Sequence, residues 1–212
     1  LGPVDRVEVL RGPQGTLFGR NASSGLIHVI TAKPKFSPEV YGDVTLGNYN
    51  LRRVGVGATG GITDSLAARL DGIFMKRDGF MEDLNSGKDA NDRNRWMLRG
   101  QLLYQPTDNF SLRIIGDYSK RNENCCAAAY LPTRDYIASG PNTGVNQPST
   151  IARILRGLGA TINDDTYDRD AEITPGRSYN SDVVDYGVSA EATYDFGGAE
   201  LTSITAYRFN DY

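Results

Sequence analysis

Residues Val4–Pro34 read VDRVEVLRGPQGTLFGRNASSGLIHVITAKP, and the fold depends on how this stretch is parsed. Val4-Asp5-Arg6-Val7-Glu8-Val9-Leu10 alternates at the period of a strand. Arg11-Gly12-Pro13-Gln14-Gly15 then breaks the run, because Gly and Pro are strong turn formers. Leu26-Ile27-His28-Val29-Ile30-Thr31, rich in β-branched residues, predicts a second strand. The unit is strand, glycine-rich elbow, strand, with no amphipathic helix of useful length.

A phosphate cradle would need a helix start beyond the glycines, with Lys and then Ser or Thr after the last of them. Here Gly19 is followed by Arg20-Asn21, and a strand follows Gly25, so nucleotide binding is a poor reading. The plainer one is a set of tight turns in which Gly12, Gly15, Gly19 and Gly25 supply positive φ. RVEVLRGPQGTLFGRNASSGLIHVITAKP also resembles the C-terminal end of the plug domain of TonB-dependent outer-membrane receptors, running straight into the barrel. The resemblance spans Val4–Pro34 almost without a gap. The family pattern often has two glycines where this chain has Ser24-Gly25.

The 212 residues contain no apolar run near the roughly 20 that a membrane helix needs. That leaves open a membrane barrel, whose strands are apolar on one face only. The formal net charge of −3 supplies no basic field for nucleic acid. Leu1-Gly2-Pro3 reads as mid-domain, without initiator Met or signal peptide, so the chain is expected to be an internal piece of a longer one.

From Val40 onward the chain repeats strand, short polar turn, strand, longer polar loop. Leu66, Ala68, Leu70, Gly72 and Phe74 share one face, with Arg69 and Asp71 on the other. Trp96, Leu98, Gly100, Leu102 and Tyr104 oppose Arg99 and Gln101; Phe110, Leu112, Ile114, Gly116 and Tyr118 oppose Arg113 and Asp117. Tyr186, Val188, Ala190, Ala192 and Tyr194 oppose Ser189 and Glu191, while Leu201–Phe209 alternates too weakly to fix its facing. Met81–Asn94 reads as a polar loop. Three details favour a membrane barrel over a soluble sandwich. Aromatics close the apolar faces, as interfacial girdles do. Arg, Asp, Glu and Gln sit mid-strand on the other face, which a wet lumen allows and a sandwich core does not. Short turns alternate strictly with long loops, as at the two ends of an outer-membrane barrel.

The fold class expected is mainly β: an incomplete antiparallel transmembrane barrel of about seven strands, preceded by the C-terminal part of a plug. Residues 1–34 would be the plug end and 35–212 the barrel portion, with a long outer loop at about 122–180. That loop contains Cys125-Cys126, Pro132, Pro141, Pro148 and Asp164-Asp165, and Ile151–Leu155 reads as a helical turn. It either contacts ligand and covers the lumen or is a variable solvated loop. Adjacent cysteines suit a structural disulfide of some kind, with each other or with partners elsewhere, better than a metal site. His28 is the one histidine, no catalytic constellation can be assembled, and no metal or cofactor is expected.

The resemblance implies a gated transporter whose barrel of about 22 strands is filled by a plug. Ligand enters from outside, and a TonB-type periplasmic energising protein pulls on the plug. Arg6, Glu8 and Arg11 match the family's plug motif, and would pair with wall charges such as Arg69, Asp71, Arg99 or Glu191. The expected partners are outer-membrane lipid of a Gram-negative bacterium, the energising protein and a small nutrient, foremost a ferric siderophore. Carbohydrate, haem or cobalamin uptake and a passive porin are the alternatives; the plug motif argues against the porin. The ligand-binding residues are not legible.

Overall fold

The computed structural model describes residues 3–128, 134–136, 146–148, 150–159, 167–173, 176 and 178–212. The elements run β1 (Val4–Arg11), α1 (Gly15–Phe18), β2 (Gly25–Thr31), β3 (Glu39–Gly47), β4 (Leu51–Thr63) and β5 (Leu66–Arg77). They continue through β6 (Met81–Asp83), β7 (Lys88–Ala90), β8 (Arg93–Thr107), β9 (Phe110–Asn124), β10 (Arg134–Tyr136) and β11 (Asn146–Pro148). The last are α2 (Thr150–Gly157), β12 (Asp170–Ala171), β13 (Asn180–Asp195) and β14 (Glu200–Asp211).

β1 and β2 form an antiparallel hairpin in which Val7 faces Val29 and Glu8 faces His28. The elbow between them holds a single helical turn, α1. Seven long strands make one open sheet in the order β14-β13-β9-β8-β5-β4-β3, each neighbouring pair antiparallel. At one end the connections are short, at Asp64-Ser65, Asp108-Asn109 and Phe196–Ala199. The other end carries the long connections 78–92 and 125–179, and also one short turn, Asn48-Tyr49-Asn50. The expected strict alternation fails there because Tyr49 and Asn50 adopt φ of 58° and 53°. Those are left-handed conformations of the kind that close a two-residue hairpin.

The sheet is inside-out by the standard of a soluble domain. Buried polar groups include Arg69, Asp71, Gln101, Arg113 and Glu123, while Leu70, Leu98, Leu102, Ile114 and Val188 are exposed. Directly paired residues of an antiparallel sheet share a face, so the register sorts every strand into one polar and one apolar side. It also settles β14. Tyr207 and Phe209 pair with Val188 and Tyr186 and so join the apolar face, whereas Arg208 pairs with Gly187 on the polar face.

The 78–92 connection is not wholly irregular. β6 pairs with β7, and β12 adds in parallel from far along the chain, giving a three-stranded lobe at the long-loop end. Met81, Ala90 and Ala171 form its small core, with Ala127, Ile173 and Tyr179 against it. Of the features expected in the long loop, α2 covers the helical turn, while Pro132, Pro141, Asp164 and Asp165 lie outside the described residues.

Candidate functional site

The polar face is organised by one row that crosses all seven strands: Tyr41, Gly57, Asp71, Arg99, Asp117, Gly187 and Arg208, each opposite the next. The two glycines make room for long side chains to reach across. A Cβ on Gly57 would overlap the Tyr41 ring and Asp71 Oδ1. Through that gap Tyr41 Oη donates to Asp71 Oδ1 at 2.7 Å. Arg69 Nε donates to both Asp71 oxygens at 3.1 and 3.0 Å, and its guanidinium lies 5.5 Å from the centre of the Tyr41 ring. At Gly187, Arg208 reaches over to Asp117 at 3.0 Å and also pairs with Asp185. Arg99 lies 3.9 Å from Asp117, and Arg113 the same distance from Glu191. Toward the long-loop end, Glu123 takes two bonds of 2.7 Å from Arg95, with Arg93 at 3.5 Å. Cations and anions thus alternate along the wall.

The hairpin pairs its charges within itself. Glu8 accepts from Arg6 Nε at 2.8 Å, and Asp5 accepts from Arg6 at 3.0 Å. Glu8 Oε2 lies 3.3 Å from His28 Nδ1, and the His28 ring meets Phe18 edge-on at 5.6 Å. The bond from Arg6 holds the Glu8 carboxyl below its usual range, against the smaller opposing push of burial. Arg11 is exposed, and its carbonyl accepts from Gln14 Nε2 at 3.2 Å. So Arg6 and Glu8 pair within the hairpin, while Arg69, Asp71, Arg99 and Glu191 have partners along the wall. Gly12, Gly19 and Gly25 take positive φ; Gly15 instead opens α1. Gly25 is the tightest, since a Cβ there would strike the Leu10 carbonyl oxygen.

At the long-loop end the lobe is tied down by buried polar groups. Asp83 is 2% exposed and accepts from Ser86 Oγ at 2.5 Å and from the Ile173 amide at 2.9 Å. Burial alone would raise its pKa, yet these donors and the backbone of Asn85 and Ser86 outweigh it and hold the carboxyl below its ordinary value. Asn91, at φ 64°, donates to the Ala127 carbonyl at 2.7 Å. Cys125 and Cys126 are joined to each other, and the Cys125 amide donates to Tyr179 at 3.2 Å. Beside the lobe a cavity of about 430 Å³ is lined by Tyr49, Phe80, Glu82, Asp89, Arg169 and Asp170, among others. A group with a depressed folded pKa stabilises fully above its unfolded value and loses that contribution as pH falls through the folded one. The lobe should therefore hold at neutral pH and loosen only below about pH 4. Amide exchange of residues 81–90 against pH checks this; loosening already at pH 6 would exclude Asp83 as the cause.

The apolar face carries two aromatic rows. Trp96 stacks on Tyr118 at 5.0 Å, Tyr118 on Tyr186 at 6.3 Å, and Tyr186 on Phe209 at 5.1 Å. At the short-turn end Phe110, Tyr194 and Phe196 make the second row. The paired positions 96/104, 110/118 and 186/194 stand eight residues apart on their strands. That is about 27 Å along a strand, or roughly 20 Å of height at a 40° tilt, close to the ~25 Å apolar band of an outer-membrane barrel. Between the rows, Gly100, Gly116, Ala58 and Ala68 leave a depression of about 610 Å³ walled by Leu70, Leu102 and Ile114.

No protein-family model matches the chain. It is 27% identical over 117 residues to the ferrioxamine receptor of Yersinia enterocolitica, covering 55% of this chain and 16% of that protein. It is 30% identical over 133 residues to the ferrioxamine B receptor of Salmonella typhimurium, covering 61% of this chain and 18% of that one. Among solved structures, the ferric yersiniabactin uptake receptor of Yersinia pestis superposes with a TM-score of 0.78 at 19% identity, covering 99% of this chain. The chain is a relative of the TonB-dependent outer-membrane receptors. It spans 16% and 18% of the length of those curated relatives and 29% of that solved chain. In this fold the seven-stranded sheet is a stretch of barrel wall, and its open edges are β3 and β14.

Within that receptor fold, alternation alone places Arg99, Gln101, Arg113 and Asp117 on the wet side of the wall. It does not reveal which of them meet. Thr59, Gln101 and Arg208 emerge as contact residues only from the register. The signal that could have pointed to them is glycine on the polar side of a strand, at Gly57 and Gly187, where a reaching side chain needs space. Among the described residues no cluster of three His, Cys, Asp or Glu side chains could hold a metal ion.

Proposed function

We propose that this chain is the plug end and first wall strands of a gated importer in the outer membrane of a Gram-negative bacterium, taking up a ferric siderophore. Residues 1–34 act as the plug end and 35–212 as barrel, with the 125–179 connection facing outward. The observation that carries this reading is the join itself. A hairpin with the plug motif runs through a linker fixed on the polar wall into a sheet whose other face is an aromatic-edged apolar band. Receptors named for iron chelates among the relatives support the substrate class.

In mechanism, chelate binds from outside and a TonB-type protein in the periplasm pulls the plug to open a path. Arg6, Glu8 and Arg11 are the plug charges that hold its register, since half-solvated ion pairs are individually weak and can be remade as the plug moves. The Cys125–Cys126 pair and the lobe stiffen the outward connection. The chemistry is transport, with no bond made or broken in the cargo.

The test is deletion of the whole gene, followed by growth under iron limitation and uptake of radiolabelled ferric chelates. Loss of growth on chelated iron, rescued by free iron, is expected. A defect confined to one carbon source would keep the gate and move the cargo to a carbohydrate; a defect on haem or cobalamin alone would move it likewise. Normal uptake of every probe would sink the importer reading.

A further inference from the structure

The linker between hairpin and wall is fastened at three places. Gln101 Nε2 donates to the Ala32 carbonyl at 3.1 Å. The Lys35 amide donates to Thr59 Oγ1 at 2.9 Å, and that hydroxyl donates onward to the Ala68 carbonyl at 2.8 Å. The Gly61 amide donates to the Phe36 carbonyl at 2.9 Å. Pro34 is buried in the middle of this segment.

Gln101 cannot turn its amide over. Its Oε1 accepts from Arg113 Nε at 3.1 Å and Nη2 at 2.6 Å, and guanidinium can only donate, so Nε2 must face Ala32. Gln101 and Arg113 are 3% and 8% exposed, on β8 and β9 in mid-sheet, and Arg113 leans on Glu191 of β13. The Ala32 carbonyl is therefore held by one strand, β8, through a Gln101 amide that Arg113 of β9 orients.

The hairpin just before it is held differently. β1 pairs with β2, and its charged side chains pair locally in half-exposed positions. Antiparallel pairing also sets the N-terminal end of β1 next to the anchor: Val4 faces Thr31, and the Ala32 amide donates to the Pro3 carbonyl at 3.0 Å. A pull on β1 from its N-terminal side loads these end bonds first and opens the hairpin pair by pair. The anchored linker is the fixed point.

We propose that Gln101, Thr59 and Gly61 form a stationary anchor that keeps residues 32–36 on the wall while the plug is displaced, so that the opening motion ends at Thr31–Ala32. Gln101 and Arg113 are then positioning residues for the gate. This rests on the importer reading above.

The test uses the full-length receptor. A Cβ on Gly61 lies 3.1 Å from the Phe36 carbonyl oxygen and 3.6 Å from Phe36 Cδ1, so Phe36→Cys with Gly61→Cys can be oxidised into a cross-link between linker and wall. Uptake of radiolabelled ferric ferrioxamine B by cells should be the same, within about twofold, whether that bond is oxidised or reduced. Uptake lost on oxidation and restored by a thiol reductant would overturn the anchor, because the linker would then have to leave the wall.

Amide exchange on the purified receptor needs no transport, so it decides the matter even if the unaltered receptor takes up no chelate, the outcome that would instead remove the importer reading. The Lys35 and Gly61 amides should be protected. Gln101→Glu keeps a partner for Arg113 but cannot donate to Ala32. It should speed exchange at Lys35 by about five- to tenfold, the loss of one hydrogen bond, and leave β8 and β9 unchanged. Free exchange at Lys35 in the unaltered protein would overturn the proposal.

Discussion

Asp71→Leu is expected to destabilise the full-length barrel by about 3–5 kcal/mol. Asp71 is 1% exposed and Arg69 6%, so the pair belongs with buried ion pairs, and removing one partner strands the other. Arg69 would lose both its bonds to the carboxylate, and the Tyr41 hydroxyl would lose its acceptor across Gly57. Guanidinium unfolding of the receptor refolded into vesicles measures the loss. The control is the double variant Arg69→Met with Asp71→Leu, which removes both charges and should regain most of the stability, because replacing a whole buried pair by apolar groups is often neutral. A double variant as unstable as the single one would show that packing around Tyr41, rather than the stranded charge, sets the cost.

The same comparison separates the two sets of charges in function. Arg6 and Glu8 have side chains 58% and 36% exposed, where water screens the pair and its contribution is small. The wall pair is thus buried and the hairpin pair solvated, and on the importer reading proposed above that contrast suits a rigid frame and a part that moves. The two charge sets need not meet for the wall to hold its shape.

Strand alternation was legible wherever a strand is long and one face is apolar. Trp96 to Tyr104 and Phe110 to Tyr118 could be assigned to faces directly, because the period of two persists over nine residues in each. β14 could not, since Thr202, Ser203 and Thr205 carry little contrast; only pairing with β13 assigns it. β6, β7 and β12 are two or three residues long and come from two different connections, 78–92 and 125–179, so no periodicity exists to detect them. The Tyr41–Asp71 bond joins residues 30 apart over a glycine, and the linker contacts use backbone atoms that every residue carries. The hairpin's glycine-rich motif, by contrast, was legible as a word: Gly12, Gly19 and Gly25 take positive φ, and Gly25 also has no room for a Cβ against Leu10.

The assignment of faces has its sharpest consequence at two adjacent isoleucines. Ile114 lies on the apolar face, midway between Phe110 and Tyr118, and pairs with Leu102 and Ala190. Ile115 lies on the polar face opposite Gln101 and Ser189. Ile114→Arg puts a guanidinium at the middle of the lipid band and should cost about 2–4 kcal/mol. Ile115→Arg makes the same chemical change one residue along, but the new charge enters the wet side near Asp117 and should cost less than about 1 kcal/mol. Reversible folding into vesicles gives both numbers on one scale. A soluble sandwich of the same strands would bury the same apolar face and keep that order, but it would fold in water without vesicles. A costlier Ile115→Arg would therefore overturn the assignment of the two faces, and folding that needs no lipid would overturn the barrel wall itself.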